Sequence, residues 1–451
     1  MRRITIIGGG ASGTLLAANL LKHSNGAPLT VNLIEKRERL ARGVAYSTAV
    51  DCHLLNVPAA RMGAYPDEVA HFHLWLSEKG HDYDANAFVP RVLFGRYLGE
   101  TLQNEIDARS DASEINFVNA EAVGIDKDGD NANVSLDSGD PISSDKVVLA
   151  FGNSAAPHPT VEDFSFTKAN KYFRDPWAAE VFEKIDPDDD VFIVGTGLSM
   201  VDMVMHLHKR GHRGKIAAVS TRGLLPAVHR LGYSYDSFVD ELRPHGRITD
   251  MLKAVRKHAE KASSNGSDWR AVIDSLRPHT QELWLKLPTS EKKYFMQHLS
   301  RYWNIARHRM APEAAAILDE LRASGQLTIY KGRLKTIEHS AKCFDITFTS
   351  IGVPQTVRAN VILNCIGSES NFERLESRLV RNMIEQGLIR NDPISQGLDA
   401  TPDGRLVGRN GKQSDSIYTL GTALKGVLWE STAIPEIRTQ ARDLALKLLA
   451  R

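Results

Sequence analysis

The sequence predicts an α/β fold in which two βαβ units, each opening on a glycine-rich turn, are separated by a stretch of helical periodicity. Three observations carry the prediction. Residues 3–7 form a short apolar run that ends in Gly8-Gly9-Gly10, followed by helical spacing from Thr14 to Lys22 and a second apolar run from Leu29 to Glu35. An acidic turn, Asp186-Pro187-Asp188-Asp189-Asp190, precedes the same order again: an apolar run Val191 to Val194, glycines at 195 and 197, helical spacing Ser199 to Lys209, and a run Lys215 to Ser220. Residues 226–326 then alternate apolar and charged residues at helical spacing, broken by the polar Ser263-Ser264-Asn265-Gly266-Ser267.

The first turn is the more informative. Gly8-x-Gly10-x-x-Gly13 sits between strand and helix, where the glycines permit a tight turn, a close approach to pyrophosphate and close helix packing. Ala11, Ser12 and Gly13 open the helix, whose unpaired N–H groups and dipole face the phosphates. Glu35 closes the next strand at the distance of about 20 residues where an acid accepts hydrogen bonds from ribose hydroxyls. A carboxylate there repels a 2′-phosphate, so the ligand expected is FAD or NAD, and the N-terminal position favours FAD.

The second turn, Gly195-Thr196-Gly197-Leu198-Ser199-Met200, replaces the third glycine with methionine, which predicts looser helix packing. Its strand ends in Ser220-Thr221-Arg222, with hydroxyls and a cation where the first unit carries Glu35. Arg222 can pair with a 2′-phosphate and Ser220 can donate to it, which favours NADP(H) over NAD(H).

The predicted architecture is therefore two dinucleotide-binding (Rossmann-like) domains with a helical insertion. Residues 1–160 form the first part of the FAD-binding domain and 367–451 its C-terminal part; 161–225 and 327–366 form the NADP-binding domain, and 226–326 the insertion. At 451 residues and 42% apolar content the chain is too long for one core and rich enough for two. Further runs are Val361 to Gly367 and Ser416 to Leu420, with a last helix from Pro435.

Bulk numbers exclude several classes. Lys+Arg at 56 against Asp+Glu at 55 leaves a formal charge of +1, so no global field draws in nucleic acid or anionic membrane. The three cysteines, Cys52, Cys343 and Cys365, form no C-x-x-C and no metal-ligand spacing, and read as buried residues of a reducing compartment. The apolar run Ile4 to Ile7 is too short for a signal h-region, and no window approaches the ~20 apolar residues of a membrane span. The expectation is a cytoplasmic protein with small-molecule partners, no metal, no nucleic acid and no membrane.

The two turns, with Gly43-Val44-Ala45-Tyr46, Leu54-Leu55-Asn56-Val57-Pro58, Arg61-Met62, Asp175-Pro176-Trp177, Gly195 to Asp202, Arg307 to Pro312, and Gly421 through Gly426-Val427-Leu428-Trp429-Glu430 to Pro435 and Arg438, span nearly the whole chain. Together they resemble bacterial FAD/NAD(P)-binding proteins of the NAD-binding-9 type, distantly related to class B flavoprotein monooxygenases. The resemblance implies that Val147 to Gly152 and Val361 to Gly367 are the crossovers between the two domains, although Phe151 and Cys365-Ile366 depart from the usual Ala-Thr. It implies that Gly421 and Thr422 lie against the flavin side of FAD, and that Asn56, Val57 and Arg61 line the ring; the other reading of that loop is a buried turn around Pro58. Arg307-His308-Arg309 is open to two readings, contact with nicotinamide or substrate and a structural ion network.

The activity so implied is oxidation of NADPH by bound FAD, with O2 as acceptor and a small, nitrogen-rich or aromatic substrate. Arg61, and after it Arg307, are the candidates to stabilise negative charge developing on oxygen. The monooxygenase fingerprint of Phe-x-Gly followed by histidine is not reproduced, since Phe151-Gly152 and His158 are wrongly spaced. An NADPH-driven flavin reductase or dehydrogenase with another acceptor, and a non-catalytic FAD-bound redox sensor, remain alternatives.

Overall fold

The computed structural model describes residues 2–450 apart from 38, 39, 110, 130, 179 and 341. Its organising feature is one layered plan used twice. In the first unit a six-stranded sheet runs in the order Arg405–Val407, Gln413–Thr419, Lys146–Leu149, Arg2–Ile7, Leu29–Ile34, Glu114–Val118. Its pairings are parallel except at the Arg405–Val407 edge. The continuous apolar runs of the sequence follow from this, because a parallel sheet is covered on both faces. Ile4, Ile6, Val31 and Leu33 pack under the helices Ala11–His23, Arg91–Asp107 and Ile434–Leu449. Ile7, Ile34, Val147 and Leu149 point the other way, against a three-stranded antiparallel sheet that carries Ile125 and Val134.

The second unit repeats the plan. Its five parallel strands run in the order Leu327–Lys331, Ile216–Ser220, Val191–Val194, Val361–Asn364, Tyr172–Phe173. Val191, Ile193 and Ala218 pack under the helices Leu198–Lys209 and Pro312–Ala323, while Phe192, Val194 and Val219 pack on the antiparallel sheet Arg333–Ser340, Cys343–Ser350, Val353–Ala359.

Between Ile216–Ser220 and Leu327–Lys331 the chain leaves to build a helical layer with its own core of Leu242, Val272, Leu276, Trp284 and Phe295, into which Trp429 of the C-terminal segment inserts. The self-contained layer covers Val239–Leu242 through Ser300–Arg307. The last helix of the 226–326 stretch, Pro312–Ala323, packs instead on Leu198–Lys209 and completes the second unit. Among the described residues no helix is long and apolar enough to cross a membrane.

Candidate functional site

The first glycine turn is shaped by contacts between backbones. Gly8 has φ +113° and donates its N–H to Ile34 O at 2.8 Å; a Cβ there would sit 2.3 Å from Ala150 O. At Gly13 a Cβ would fall 1.9 Å from Gly8 O. The helix starts at Ala11, inside the motif and earlier than the expected Thr14, with Gly10 extended at φ −75° as its N-cap. The first-turn N–H groups of Ala11, Ser12 and Gly13 therefore have no acceptor within the helix. Gly10 differs from its neighbours: a Cβ would meet nothing closer than Gly43 Cα at 3.4 Å, an ordinary contact.

Glu35, 8% exposed, holds the turn with both carboxylate oxygens: Oε2 accepts from Gly9 N at 2.9 Å and Oε1 from Arg37 N at 3.0 Å. Each oxygen keeps a lone pair, which is the capacity a ribose diol needs.

The flavin-side candidates gather beyond the carboxyl ends of the neighbouring strands Lys146–Leu149 and Gln413–Thr419 of the same sheet. Gly421 has φ +75°, and a Cβ on it would lie 2.7 Å from Ser12 Oγ. Thr422 donates its hydroxyl to Gly152 O, and Gly152 itself has φ +64°. Gln440, which the sequence did not suggest, accepts from Gly421 N at 2.9 Å, while its buried Nε2 has no partner among the described residues. The loop with Asn56 and Val57 is gripped by backbone: Leu54 O accepts from Arg91 Nε at 3.0 Å, Asn56 O from His229 Nε2 at 3.0 Å. Arg61 has an exposed side chain, and its carbonyl accepts from Arg438 at 3.2 Å.

The second turn repeats the first almost atom for atom. Gly195 has φ +106°, donates to Val219 O at 2.8 Å, and would place a Cβ 2.4 Å from Cys365 O. Cys365 thus stands where Ala150 stands, and Gly367, with φ +92°, matches Gly152. That correspondence answers the departures from Ala-Thr, since the contact is made by a carbonyl any residue supplies. Gly197 is the N-cap of Leu198–Lys209, and a Cβ on it meets nothing within 4 Å. Ser199 lies in the helix's first turn.

Met200 does not loosen the helix as the sequence suggested; it is fully buried in the core of the second unit. The register makes Ser220, not Arg222, the counterpart of Glu35. Its Oγ lies 2.8 Å from Thr196 Oγ1 and accepts from Gly223 N at 3.0 Å. Arg222 lies two residues further on and is exposed, with no hydrogen bond or ion pair among the described residues. Lys331, paired in register with Ser220, brings a second cation to this edge. The sequence hid it by placing it across the insertion.

A buried clasp joins the two units. Arg91 pairs with Asp202 at 2.8 Å, with 13% and 9% of their side chains exposed. Burial raises the Asp202 carboxyl to about 6 even beside that cation.

The basic cluster of the helical layer divides. Arg307 Nε donates to Glu430 Oε2 at 3.0 Å, and Arg277 pairs with Glu436 beside it at 2.7 Å. Arg309, 2% exposed, is bound by Asp274, Ala306 O and Arg270 O. The structure therefore gives Arg307 and Arg309 to an ion network, while His308 lines a cavity of about 220 Å³. Burial and nearby cations hold that histidine at about 3, so it is neutral. A larger cavity of about 630 Å³ lies between the C-terminal helix and the helical layer, with Arg277, Glu436 and Gln440 in its wall.

Residues 5–154 match the model of an FAD-NAD(P)-binding family. No curated protein matches the chain. Solved structures align along its whole length at low identity. The ornithine N-hydroxylase of Kutzneria sp. 744, bearing reduced FAD, NADP+ and L-ornithine, is 14% identical over 99% of this chain and 98% of its own, with a TM-score of 0.66. The ornithine hydroxylase of Pseudomonas aeruginosa is 13% identical over 100% and 99%, at 0.65. The thioredoxin reductase of Lactococcus lactis is 11% identical over 99% and 98%, at 0.54. The turns fit the dinucleotides such folds hold, because Gly10 and Gly197 leave space that the protein's own packing does not require. Residues 5–154 are thus similar to the FAD-NAD(P)-binding family, and the chain as a whole shares the two-domain fold of these solved structures.

Proposed function

We propose that the chain is an FAD-dependent, NADPH-oxidising monooxygenase of a small molecule. The observation that carries this reading is the pair of glycine cradles of opposite character, Glu35 beside the first and Ser220, Arg222 and Lys331 beside the second, held in one joint by the Arg91–Asp202 clasp. In this reading Ala11, Ser12 and Gly13 bind the FAD pyrophosphate and Glu35 the ribose, and Gly421, Thr422 and Gly152 support the flavin side. The first turn of Leu198–Lys209 binds the NADPH pyrophosphate, and Arg222 the 2′-phosphate. When bound, the two cofactors supply hydride transfer and the reaction with O2. The protein's part is to orient them, exclude water and place charge. Arg61 is the candidate to stabilise negative charge developing on oxygen, because its guanidinium has no hydrogen bond or ion pair among the described residues, while Glu430 balances that of Arg307.

The second reading, a reductase with another acceptor, draws on the thioredoxin reductase likeness. Its disulfide form is disfavoured: Cys52, Cys343 and Cys365 are free thiols, and burial pushes Cys52 up to about 11 and Cys365 higher still, which suppresses thiolate. The test mixes FAD-loaded protein, NADPH and isotopically heavy O2 with a metabolite panel and reads product mass. One heavy oxygen in a product supports the monooxygenase. NADPH oxidation that proceeds only with a quinone or dye replaces it with the reductase.

A further inference from the structure

Arg438 closes the run of motifs in the sequence and has no part in the site described so far. It lies in the second turn of the last helix, Ile434–Leu449, and the sheet decides where that turn sits. The helix follows Gln413–Thr419, which runs parallel to Lys146–Leu149, itself parallel to Arg2–Ile7. Its far end is tied to the amino ends of those strands, where Leu448 O accepts from Arg2 Nη1. The first turns of the helix therefore lie at the carboxyl edge, beside the glycine cradle that opens Ala11–His23.

The stripe Ile434, Ile437, Ala441 and Leu444 packs on Ala11–His23, and the two flanks of the helix reach different turns. Arg438 and Gln440 are two residues apart and so point to opposite flanks. On one, Gln440 Oε1 accepts from Gly421 N at 2.9 Å, in the turn where a Cβ would touch Ser12 Oγ. On the other, Arg438 Nη1 donates to Arg61 O at 3.2 Å and to Gly63 O at 3.0 Å. One helix thus sets the spacing between the cradle, the Gly421 turn and the Arg61–Gly63 turn.

Those two carbonyls need a donor, but they do not need a charge. Arg438 is 7% exposed, its Nε is buried without a partner, and it forms no ion pair among the described residues. Glu436 acts on it, but both Glu436 oxygens are held by Arg277, at 2.7 and 3.1 Å, with Arg307 at 3.9 Å. Arg307 pairs with Glu430 at 3.0 Å, and Asp274, which also acts on Arg277, is taken by Arg309 at 2.8 Å. Tyr97, the other group acting on Arg438, is neutral because burial raises its phenol above the usual tyrosine range. Arg277, Arg307 and Arg438 therefore stand against Glu430 and Glu436, and the cluster carries one positive charge in excess. Burial, with the Arg277 cation beside it, holds the Arg438 guanidinium below the usual arginine range.

We propose that Arg438 is a positioning residue of the FAD site: its fork fixes the Arg61–Gly63 turn against the last helix, and its charge favours negative charge on a flavin ring lying along that turn. The proposal rests on the FAD reading of the first cradle and on Arg61 lining the ring, and extends them to the reduction potential. Electron uptake makes the ring more negative, so a fixed cation beside it makes bound FAD easier to reduce.

The test measures FAD affinity, the midpoint potential of bound FAD and the apoprotein melt, without substrate or turnover. Arg438→Met should weaken FAD roughly tenfold and lower the potential, a shift that a merely structural staple would not produce. Arg438→Lys keeps the charge without the planar fork and should restore the potential while recovering FAD affinity only in part. Gln440→Leu frees the Gly421 N–H and touches no charge, so it should weaken FAD and leave the potential alone. Arg442→Met removes a carboxylate-paired cation one turn along the same helix and should leave the potential unchanged. An unchanged potential in Arg438→Met, or in Arg438→Gln where the methionine variant does not fold, overturns the proposal. So does an equal drop in Arg438→Lys or in Arg442→Met. A wild type that binds no FAD overturns it together with the reading beneath it, whereas an Arg438-dependent potential in a protein that never inserts oxygen removes only the monooxygenase.

Discussion

The glycines of each turn divide into those the fold requires and those only a ligand requires, and single methyl groups separate the two. Gly10→Ala adds a Cβ that meets only Gly43 Cα at 3.4 Å, on a backbone at φ −75° that alanine adopts freely. The folding cost is the poorer helix N-cap, about 1 kcal/mol or less, offset by about 0.4–1 kcal/mol from the stiffer unfolded chain. The melting temperature of the apoprotein should therefore stay within a few degrees of wild type. Gly13→Ala adds the same methyl 1.9 Å from Gly8 O, backbone against backbone, so the helix must retreat; overpacking of this kind costs about 1–3 kcal/mol or more. The second turn gives the same pair, Gly197→Ala in open space against Gly195→Ala at φ +106° and 2.4 Å from Cys365 O. The assay is FAD stoichiometry from the absorbance of purified protein, NADPH affinity by titration, and thermal melting of apo and loaded forms. Gly10→Ala should be folded and colourless, and Gly197→Ala folded, yellow and at least tenfold weaker for NADPH, a change of about 1.4 kcal/mol. Full FAD in folded Gly10→Ala, or an unperturbed melt in Gly13→Ala, refutes the division.

Arg222→Ala should erase most of the preference for NADPH over NADH, roughly tenfold for a solvent-exposed charge-assisted bond, read as the ratio of flavin reduction rates with the two nucleotides. Ser220→Glu puts a carboxylate at the register position of Glu35 and should invert that preference toward NADH; an unchanged ratio would show that the 2′-phosphate lies elsewhere. Burial depresses His53 to about 3 and His206 to about 4, so the unfolded chain takes up both protons first. Their contribution is constant above about pH 6.5 and lost as pH falls below it, about 1 kcal/mol each by about pH 5.5. Denaturant midpoints at the two pH values should show the drop, and His206→Gln should shrink it. Arg91→Met strands Asp202 at the joint; because that carboxyl already sits near 6 it takes a proton rather than a charge penalty, so destabilisation should be modest at acid pH and grow as pH rises through the titration.

Most of the architecture was legible because the signals that announce a parallel sheet are local. Ile4, Ile6, Val31 and Leu33 form unbroken apolar runs because both faces of the sheet are covered, and glycine follows each first strand because the turn crosses a neighbouring backbone. What stayed hidden depends on partners distant in the chain. The Pro312–Ala323 helix reads like the rest of the insertion by periodicity, and only its packing on Leu198–Lys209 assigns it to the second unit. Lys331 is separated from Ser220 by the whole helical layer, yet the two are register partners. Gly367 was legible in principle, since Val361 to Gly367 repeats the strand-then-glycine order of Val147 to Gly152.

The same distinction explains why the glycine turns were readable and the division of the basic cluster was not. A dinucleotide is recognised mainly by backbone N–H groups at a helix start, and the glycines needed to expose them leave a fixed spacing in sequence. A small substrate is recognised by a few side chains whose chemistry depends on what their neighbours have already consumed. Arg307, His308 and Arg309 are three adjacent basic residues with one sequence signal, but Glu430 neutralises the first, burial discharges the second, and Asp274 holds the third.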